Sequence, residues 1–277
     1  MNLFADMTND TVSAEDSIRA IVRSHVESYA SGFSDRHLKE VNDSSGVLNM
    51  KIHNVFVAAL GPEVQYYSAL ARSLDSSLGN MLESMAINIG TLFYDITQKV
   101  EGGITKQQVN HISDILEAYT RNVRKPTVAD YYPLRAKPDK NDIINKRKAT
   151  DYYLHDKQTG THHLIELKIG GDLDNKKARS EKEAILEQYA ILSNGLPDDA
   201  VITVHFATAY NRFGEGKAWN QTRVLQFFGR DELLIGADFW NFMCKRSNGY
   251  EIVIDEYRKN ADKIKDALGH IKNAYLK

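Results

Sequence analysis

The sequence His163-Leu164-Ile165-Glu166-Leu167-Lys168-Ile169 is the most informative part of this chain, and Thr150-Asp151 precedes it by a short interval. A turn-forming cluster, Asp156-Lys157-Gln158-Thr159-Gly160, separates the two stretches, so both are predicted to be strands of one hairpin. Side chains alternate between the faces of a strand, so Glu166 and Lys168 share a face. The spacing therefore predicts two carboxylates and one ammonium at one edge of a sheet.

These residue types suit metal-assisted hydrolysis of a phosphodiester. Mg²⁺ prefers hard oxygen ligands and keeps several waters, so Asp151 and Glu166 suffice as its protein carboxylates. The backbone carbonyl of Leu167 is the predicted third ligand. Lys168 is predicted to orient the attacking water or to stabilise the transition state, and it would need a lowered pKa to act as a base.

The alternative interpretation of this spacing is a set of surface ion pairs on an ordinary hairpin. Three features favour the site. The Glu-x-Lys element lies in an apolar strand, where a charge needs a reason to be buried. A basic helix, predicted from Lys177 to Ser193, follows directly. A buried strand, predicted from Ala200 to Thr208, follows that helix, and this series is typical of an α/β architecture.

Composition limits the class of protein. Hydrophobic residues make up 42% and charged residues 26% of the 277 residues, which indicates a globular chain and not a disordered one. Cys244 is the only cysteine, so an internal disulfide and a cysteine zinc site are excluded. The start of the chain lacks the pattern of a signal peptide, and no run of about 20 apolar residues is present. We expect no membrane association and a cytoplasmic, reducing location.

The net charge of −2 argues against a wholly basic surface, but the basic residues are unevenly placed. They bracket the acidic motif, which favours contact with phosphates, although two solvated charge runs are the alternative. The residues are Arg135, Lys137, Lys140, Lys146, Arg147 and Lys148 before the motif and Lys176, Lys177, Arg179 and Lys182 after it.

We predict a mainly helical N-terminal part over 1–125, a connector over 126–147 and a core over 148–277. Thr105, with Gln108 three residues later, is predicted to cap a helix, and Gly102-Gly103 to end the element before it. The other predicted elements are helices over Asp16–Tyr29, Glu63–Thr97, Asp231–Cys244 and Glu256–Leu276 and a strand over Arg223–Phe228.

From Ala149 to Thr208 the chain resembles the PD-(D/E)XK nuclease superfamily. Thr150-Asp151 stands where that family often has Pro-Asp, and Glu166-Leu167-Lys168 matches its second element; the missing proline is a departure at the least constrained position. Within the superfamily the chain looks like a type II restriction endonuclease, and it is similar to the TdeIII-like group, whose members recognise GGNCC. The resemblance implies a mixed central sheet flanked by helices, Mg²⁺-dependent cleavage of double-stranded DNA, and a homodimer.

The resemblance also implies a further acidic residue on a helix before the hairpin. Glu83 is the candidate, because small residues beside it would let its helix approach the sheet; a packing stripe with an exposed glutamate is the alternative. Candidate DNA contacts are Lys176, Lys177 and Arg179 near the cut, and Asn211, Arg212 and Lys217 for base recognition. An ordinary polar surface explains these six equally well.

Three other functions remain open at this point. The chain could be a non-specific or repair-type nuclease of the same superfamily, or a DNA-binding module without catalysis. A helical interaction protein would explain the N-terminal half but not the charged strand.

Overall fold

A computed structural model describes residues 3–135 and 142–276, without the side chains of residues 3–13 and 146–149. Its helices are α1 (Leu3–Lys39), α2 (Val55–Ala58), α3 (Pro62–Gly90), α4 (Lys106–Thr120), α5 (Asn175–Gly195), α6 (Thr222–Leu225), α7 (Ala237–Met243) and α8 (Gly249–Tyr275). Its strands are β1 (Tyr94–Thr105), β2 (Ile143–Asp156), β3 (His162–Leu167), β4 (Ile202–Thr208) and β5 (Leu233–Ile235). Short 3₁₀ helices span Asn49–His53, Val128–Arg135 and Arg230–Glu232.

The chain divides into two compact units, one formed by residues up to Ile89 and from Glu251, the other by Gly90–Tyr250. These bounds differ from the predicted division at 125 and 148. β1 and α4 belong to the second unit, which contains the sheet. β1 pairs with β2 along most of its length, and α4 packs against α5.

The first unit is helical. A buried apolar cluster forms its core and includes Phe33 of α1, Tyr66 and Leu70 of α3 and Ile271 of α8. These residues come from distant parts of the sequence, so the amphipathic faces of the helices gain their stability from one another. None of the helices described is long and apolar enough to cross a membrane.

The second unit is built on a five-stranded sheet in the order β1-β2-β3-β4-β5. The β1–β2 and β2–β3 pairs are antiparallel, whereas β3–β4 and β4–β5 are parallel. The predicted hairpin is present as β2–β3, with Tyr152 opposite Ile165. The sheet is therefore mixed and flanked by helices, as predicted.

α5 is the main helix packed on the sheet. Ala178, Ile185 and Leu186 are fully buried and join Leu164 and Phe206 of the sheet in one apolar core. The same helix packs against α4, whose predicted cap is confirmed: Thr105 and Gln108 form a reciprocal capping box. α5 is thus held from two sides and can carry side chains to the end of β3.

The prediction of one helix over Glu63–Thr97 was wrong at its C-terminal end. α3 ends at Gly90, and β1 follows at Tyr94. Gly102-Gly103 does not end an element but lies inside β1. Gly103 faces Ile143 so closely that a Cβ there would lie 2.4 Å from Ile143 Cγ2, so the strand needs a glycine at this position. A β-bulge between Thr97 and Lys99 interrupts the alternation that would have identified the strand.

Several predicted elements after residue 126 also need correction. Val128–Arg135 is a 3₁₀ helix, and β2 already begins at Ile143, inside the predicted connector. Lys137 and Lys140 lie outside the described residues, as do the side chains of Lys146, Arg147 and Lys148.

In the last part of the chain, too, the predicted elements differ from those of the structure. The predicted strand over Arg223–Phe228 is a short helix, α6, whose neighbours Phe227 and Phe228 are buried. The predicted helix over Asp231–Cys244 is split by Gly236, which has φ +56°, into β5 and α7. α8 begins at Gly249 and not at Glu256.

Candidate active site

The β2–β3 hairpin brings together the three residues that the spacing singled out. Tyr152 is opposite Ile165, so Asp151 and Glu166 occupy the next position of each strand. The backbone amide of Leu167 donates to Asp151 Oδ2 at 2.8 Å, which fixes the orientation of that carboxylate. Lys168 follows directly, and its backbone amide donates to the carbonyl of Ala207 on β4.

The ammonium of Lys168 is the centre of this cluster. Its Nζ donates to Glu166 Oε1 at 2.5 Å and lies 3.9 Å from Asp151 Oδ2. A third carboxylate, Glu181 on α5, lies 3.3 Å from the same nitrogen. The arrangement is one cation among three carboxylates.

Glu181 was missed from the sequence. It lies beside the buried stripe of α5 that contains Ala178, Lys182 and Ile185, on a helix that packs against β3. The sequence did contain one signal for Glu181. It is a glutamate next to the apolar stripe of a helix, and that helix follows the Glu-x-Lys strand. The rotation of the helix about its axis, which decides whether such a residue faces the site, is set by tertiary packing.

The cluster is partly open. The Glu166 side chain is only 7% exposed, whereas about a quarter of the side-chain surface of Lys168 (29%), Asp151 (27%) and Glu181 (25%) remains accessible. A buried carboxylate beside accessible ones is suited to hold an ion that an incoming substrate can also reach.

The charges of the cluster are unbalanced toward the negative side. Burial and the negative charge of Asp151 raise the pKa of Glu166, although the Lys168 ammonium opposes the shift. Burial alone would lower the pKa of Lys168, but the neighbouring carboxylates, Glu166 first, outweigh it and raise that pKa above its ordinary value. The direction of this shift favours the protonated ammonium, which donates a hydrogen bond to Glu166.

The fit of this cluster to Mg²⁺ rests on two carboxylates. Within the described part of the chain, no group of three or more His, Cys, Asp or Glu side chains is arranged to hold a metal ion. Mg²⁺ needs only one or two protein carboxylates, since waters and phosphate oxygens complete its shell. Asp151 and Glu166 are such a pair on adjacent strands, and the excess negative charge around them favours a cation. The residues present therefore fit Mg²⁺.

Two glycines let the chain turn away immediately after Lys168. Gly171 has φ +64°, and a Cβ there would lie 2.8 Å from Thr208 Cγ2. A Cβ on Gly170 would lie 2.4 Å from the hydroxyl of Tyr210. The close approach of this turn to the end of β4 holds Lys168 at the sheet edge.

The residue of α5 that follows Glu181 anchors the helix through a buried ion pair. Lys182 Nζ lies 2.6 Å from Glu232 Oε1, and the two side chains are 0% and 1% exposed. The Tyr131 hydroxyl bonds to both groups, and the rings of Tyr131 and Phe228 each lie 4.8 Å from the ammonium. Lys182, which was counted among the basic residues near the motif, is thus structural.

The candidate DNA contacts have different surroundings. Lys176 and Lys177 are exposed at the start of α5, and Arg179 pairs with Glu183 at 3.1 Å. Each of the three could reach a phosphate only from the surface of α5.

In the loop after β4, two of the three candidate base-reading side chains are already engaged. The amide of Asn211 is buried, donates to the carbonyl of Lys217 at 2.7 Å and accepts from the amide of Phe213, so it shapes the loop. Arg212 pairs with Asp172 at 2.6 Å, while the Lys217 side chain is exposed. Direct base recognition through Asn211 would require this loop to open.

Glu83 lies on α3, in the first unit, whereas the other three candidates lie in the second. Its part in the site stays a prediction.

A comparison with protein-family models identifies the class to which this fold and site belong. The family model described as type II restriction endonuclease, HinfI, matches residues 14–261. The chain belongs to this family and is therefore a DNA endonuclease, a hydrolase whose substrate is DNA. The predicted class is confirmed, and the mixed sheet flanked by helices is consistent with a restriction-endonuclease-like fold. The more specific TdeIII-like assignment stays a prediction. The curated proteins gave no match, and neither did the solved structures.

Proposed function

We propose that this protein is a Mg²⁺-dependent type II restriction endonuclease of the PD-(D/E)XK type, which hydrolyses both strands of a specific double-stranded DNA sequence as a homodimer. The observation that carries the proposal is the convergence of Asp151, Glu166 and Glu181 on the Lys168 ammonium at the partly open edge of the β2–β3 hairpin. We place the activity in the cytoplasm, where the single thiol, the buried Cys244, stays reduced.

Asp151 and Glu166 would hold the metal, with the carbonyl of Leu167. When bound there, Mg²⁺ lowers the pKa of a coordinated water and neutralises charge on the phosphate. The amide of Leu167 keeps Asp151 oriented for this task.

Lys168 contributes charge and position. Its ammonium would stabilise the extra negative charge that develops on the phosphate oxygens as the water attacks. Glu166 and Glu181 hold that ammonium from two sides, so its position does not depend on the substrate. Glu181 is therefore a positioning residue for Lys168.

A homodimer supplies one such site to each DNA strand, and a two-fold symmetric target would match it. The resemblance supports a GGNCC-like sequence. Sequencing the fragment ends of a digested genome tests both points. A single recurring palindrome supports a restriction enzyme, recurrence of GGNCC supports the specific target, and random ends would indicate a non-specific or repair-type nuclease.

Plasmid cleavage tests the site. We expect Asp151→Asn, Glu166→Gln and Lys168→Met each to reduce the rate by at least about 100-fold, because each removes a charge that acts on the transition state. EDTA should abolish cleavage and added Mg²⁺ should restore it. Matched control variants, Glu101→Gln and Lys99→Met, remove an exposed ion pair of β1 and should cut at the wild-type rate.

Unchanged cleavage in the three site variants would refute the assignment. Salt-sensitive DNA binding by the wild type, without cleavage at any Mg²⁺ concentration, would identify a binding module instead.

A further inference from the structure

The first unit carries a concentration of exposed apolar side chains that its own core does not use. They lie on the end of α1, the Asn49–His53 helix, α2, the start of α3 and the segments between these elements, and we call this set the apolar surface. Phe56 is 84% exposed and Val55 67% exposed. The complete set is Leu38, Val47, Met50, Ile52, Val55, Phe56, Leu60, Val64 and Tyr67.

This surface is anchored to the core on either side of α2. Leu48 precedes the Asn49–His53 helix, Tyr66 and Leu70 lie on α3, and all three are buried in the core of the first unit, whereas the Asn49–His53 helix and α2 have no buried residue. The side chain of Asn54 accepts from the amides of Phe56 and Val57 and so caps α2. Val64 and Tyr67 are three residues apart and share a face of α3.

The charges of the segment narrow the choice of partner. From Val41 to Tyr67 only Asp43, Lys51 and Glu63 carry a formal charge. DNA and anionic membranes both require clustered basic residues. Lys51 is the sole lysine or arginine from Val41 to Tyr67, and the end of α1 adds only Arg36 and Lys39 near Leu38, beside the acidic Glu40. A second copy of the same surface meets no strong like-charge repulsion, and it is apolar in the same places.

We propose that this apolar surface is the interface through which two copies of the chain associate. At about 200 Å² per side chain, a middle value for aromatic residues and an upper value for the aliphatic ones, the nine exposures sum to at most about 1,000 Å² on one chain, and a stable interface buries about 800 Å² per partner. A concentration of exposed apolar side chains on a protein surface marks an interaction site. The inference rests on the proposed function in one respect: each chain holds one nuclease site, and a double-strand cut uses two.

The test is the mass of the full-length protein in solution, measured by sedimentation equilibrium without DNA or Mg²⁺. We expect the wild type to be a dimer and Val55→Glu to raise the dimer dissociation constant by about 100-fold or more, because the charge enters a two-fold interface twice. Phe56→Glu should act in the same way. Circular dichroism and thermal unfolding should show that both variants stay folded, since both positions face solvent.

Val123→Glu is the matched control, because Val123 is 74% exposed and belongs to the second unit; it should remain a dimer. A wild type that is monomeric at tens of micromolar, or a Val55→Glu variant that dimerises as tightly as the wild type, overturns the proposal. A wild type that is monomeric and binds phosphatidylcholine vesicles through Val55 would also overturn the proposal. Asp151→Asn should dimerise normally, so a failure of the nuclease assignment is distinguishable from a failure of the interface.

Discussion

Replacing Lys182 with Met is expected to lower the free energy of unfolding by about 3 kcal/mol. The Lys182 ammonium lies 2.6 Å from Glu232 Oε1 and 2.7 Å from the Tyr131 hydroxyl, in a region where all three side chains are buried. Methionine occupies a similar volume but leaves the Glu232 carboxylate in the interior without its cation. The dominant cost is that uncompensated charge.

The expected loss of unfolding free energy depends on the hydrogen-bond donors that Glu232 keeps in the variant. Removing one member of a buried ion pair costs about 3–5 kcal/mol. The lower end applies here, because Tyr131 and the amide of Gly229, at 2.5 Å, still donate to Glu232. In the double variant Lys182→Met/Glu232→Gln neither charge is left, so its stability should return to within about 1–2 kcal/mol of the wild type.

Urea denaturation followed by tryptophan fluorescence, together with calorimetry, measures these differences. A loss of 3 kcal/mol should lower the melting temperature by about 6–12 °C for a unit of this size. Lys176→Met, an exposed lysine on the same helix, is the control and should stay within about 0.5 kcal/mol. A Lys182→Met protein as stable as the wild type, or single effects that simply add in the double variant, would refute the reasoning.

Three further perturbations have definite expected results. Glu181→Gln should slow single-turnover cleavage about 10-fold without weakening DNA binding, because Lys168 loses one of the carboxylates that hold it. Burial lowers the pKa of His163 and of His205 to about 4. The unfolded chain, with histidine pKa near 6.5, then binds more protons between these values, so stability in urea should fall as the pH drops from 6.5 to 4. Gly171→Ala should destabilise the protein by about 1–3 kcal/mol in thermal unfolding, because its Cβ would clash and its φ is positive.

Each of these has a control within the chain. Glu183→Gln alters the same helix at an exposed position and should cut normally, whereas equal slowing by both changes would contradict the positioning role of Glu181. The His163→Gln/His205→Gln variant should lose much of the pH dependence, and a wild type of constant stability over that range would disprove the histidine argument. Gly160 also has a positive φ, +69°, but open space around it, so Gly160→Ala should cost less than Gly171→Ala.

The site was predictable from sequence where its geometry is local. Asp151, Glu166 and Lys168 lie on one hairpin, so period-two alternation and a turn cluster were enough to place them together. The Thr105 cap was predictable for the same reason, since both partners are three residues apart. The contact of Lys168 with Glu181 depends on how α5 rotates against β3, and the Lys182–Glu232 pair joins residues far apart in sequence, so neither had a local pattern.

The missed strands have similar physical reasons. The alternation in β1 is broken by its bulge and by Gly102-Gly103, whose role depends on the neighbouring Ile143. β5 has three residues, too few to show a period, and is recognisable only by its pairing with Phe206–Thr208. Short or irregular strands at the edge of a sheet are defined by their partners more than by their own residues.

Those same two irregular strands bear on how the protein avoids aggregation. β1 and β5 are the outer strands of the described sheet, and an outer strand that is long, flat and apolar is a template for aggregation. β5 is very short, and β1 is twisted by its bulge and has the exposed charges of Lys99 and Glu101 next to it. The bulge that concealed β1 in the sequence therefore also protects the newly made protein from pairing strand to strand with its neighbours.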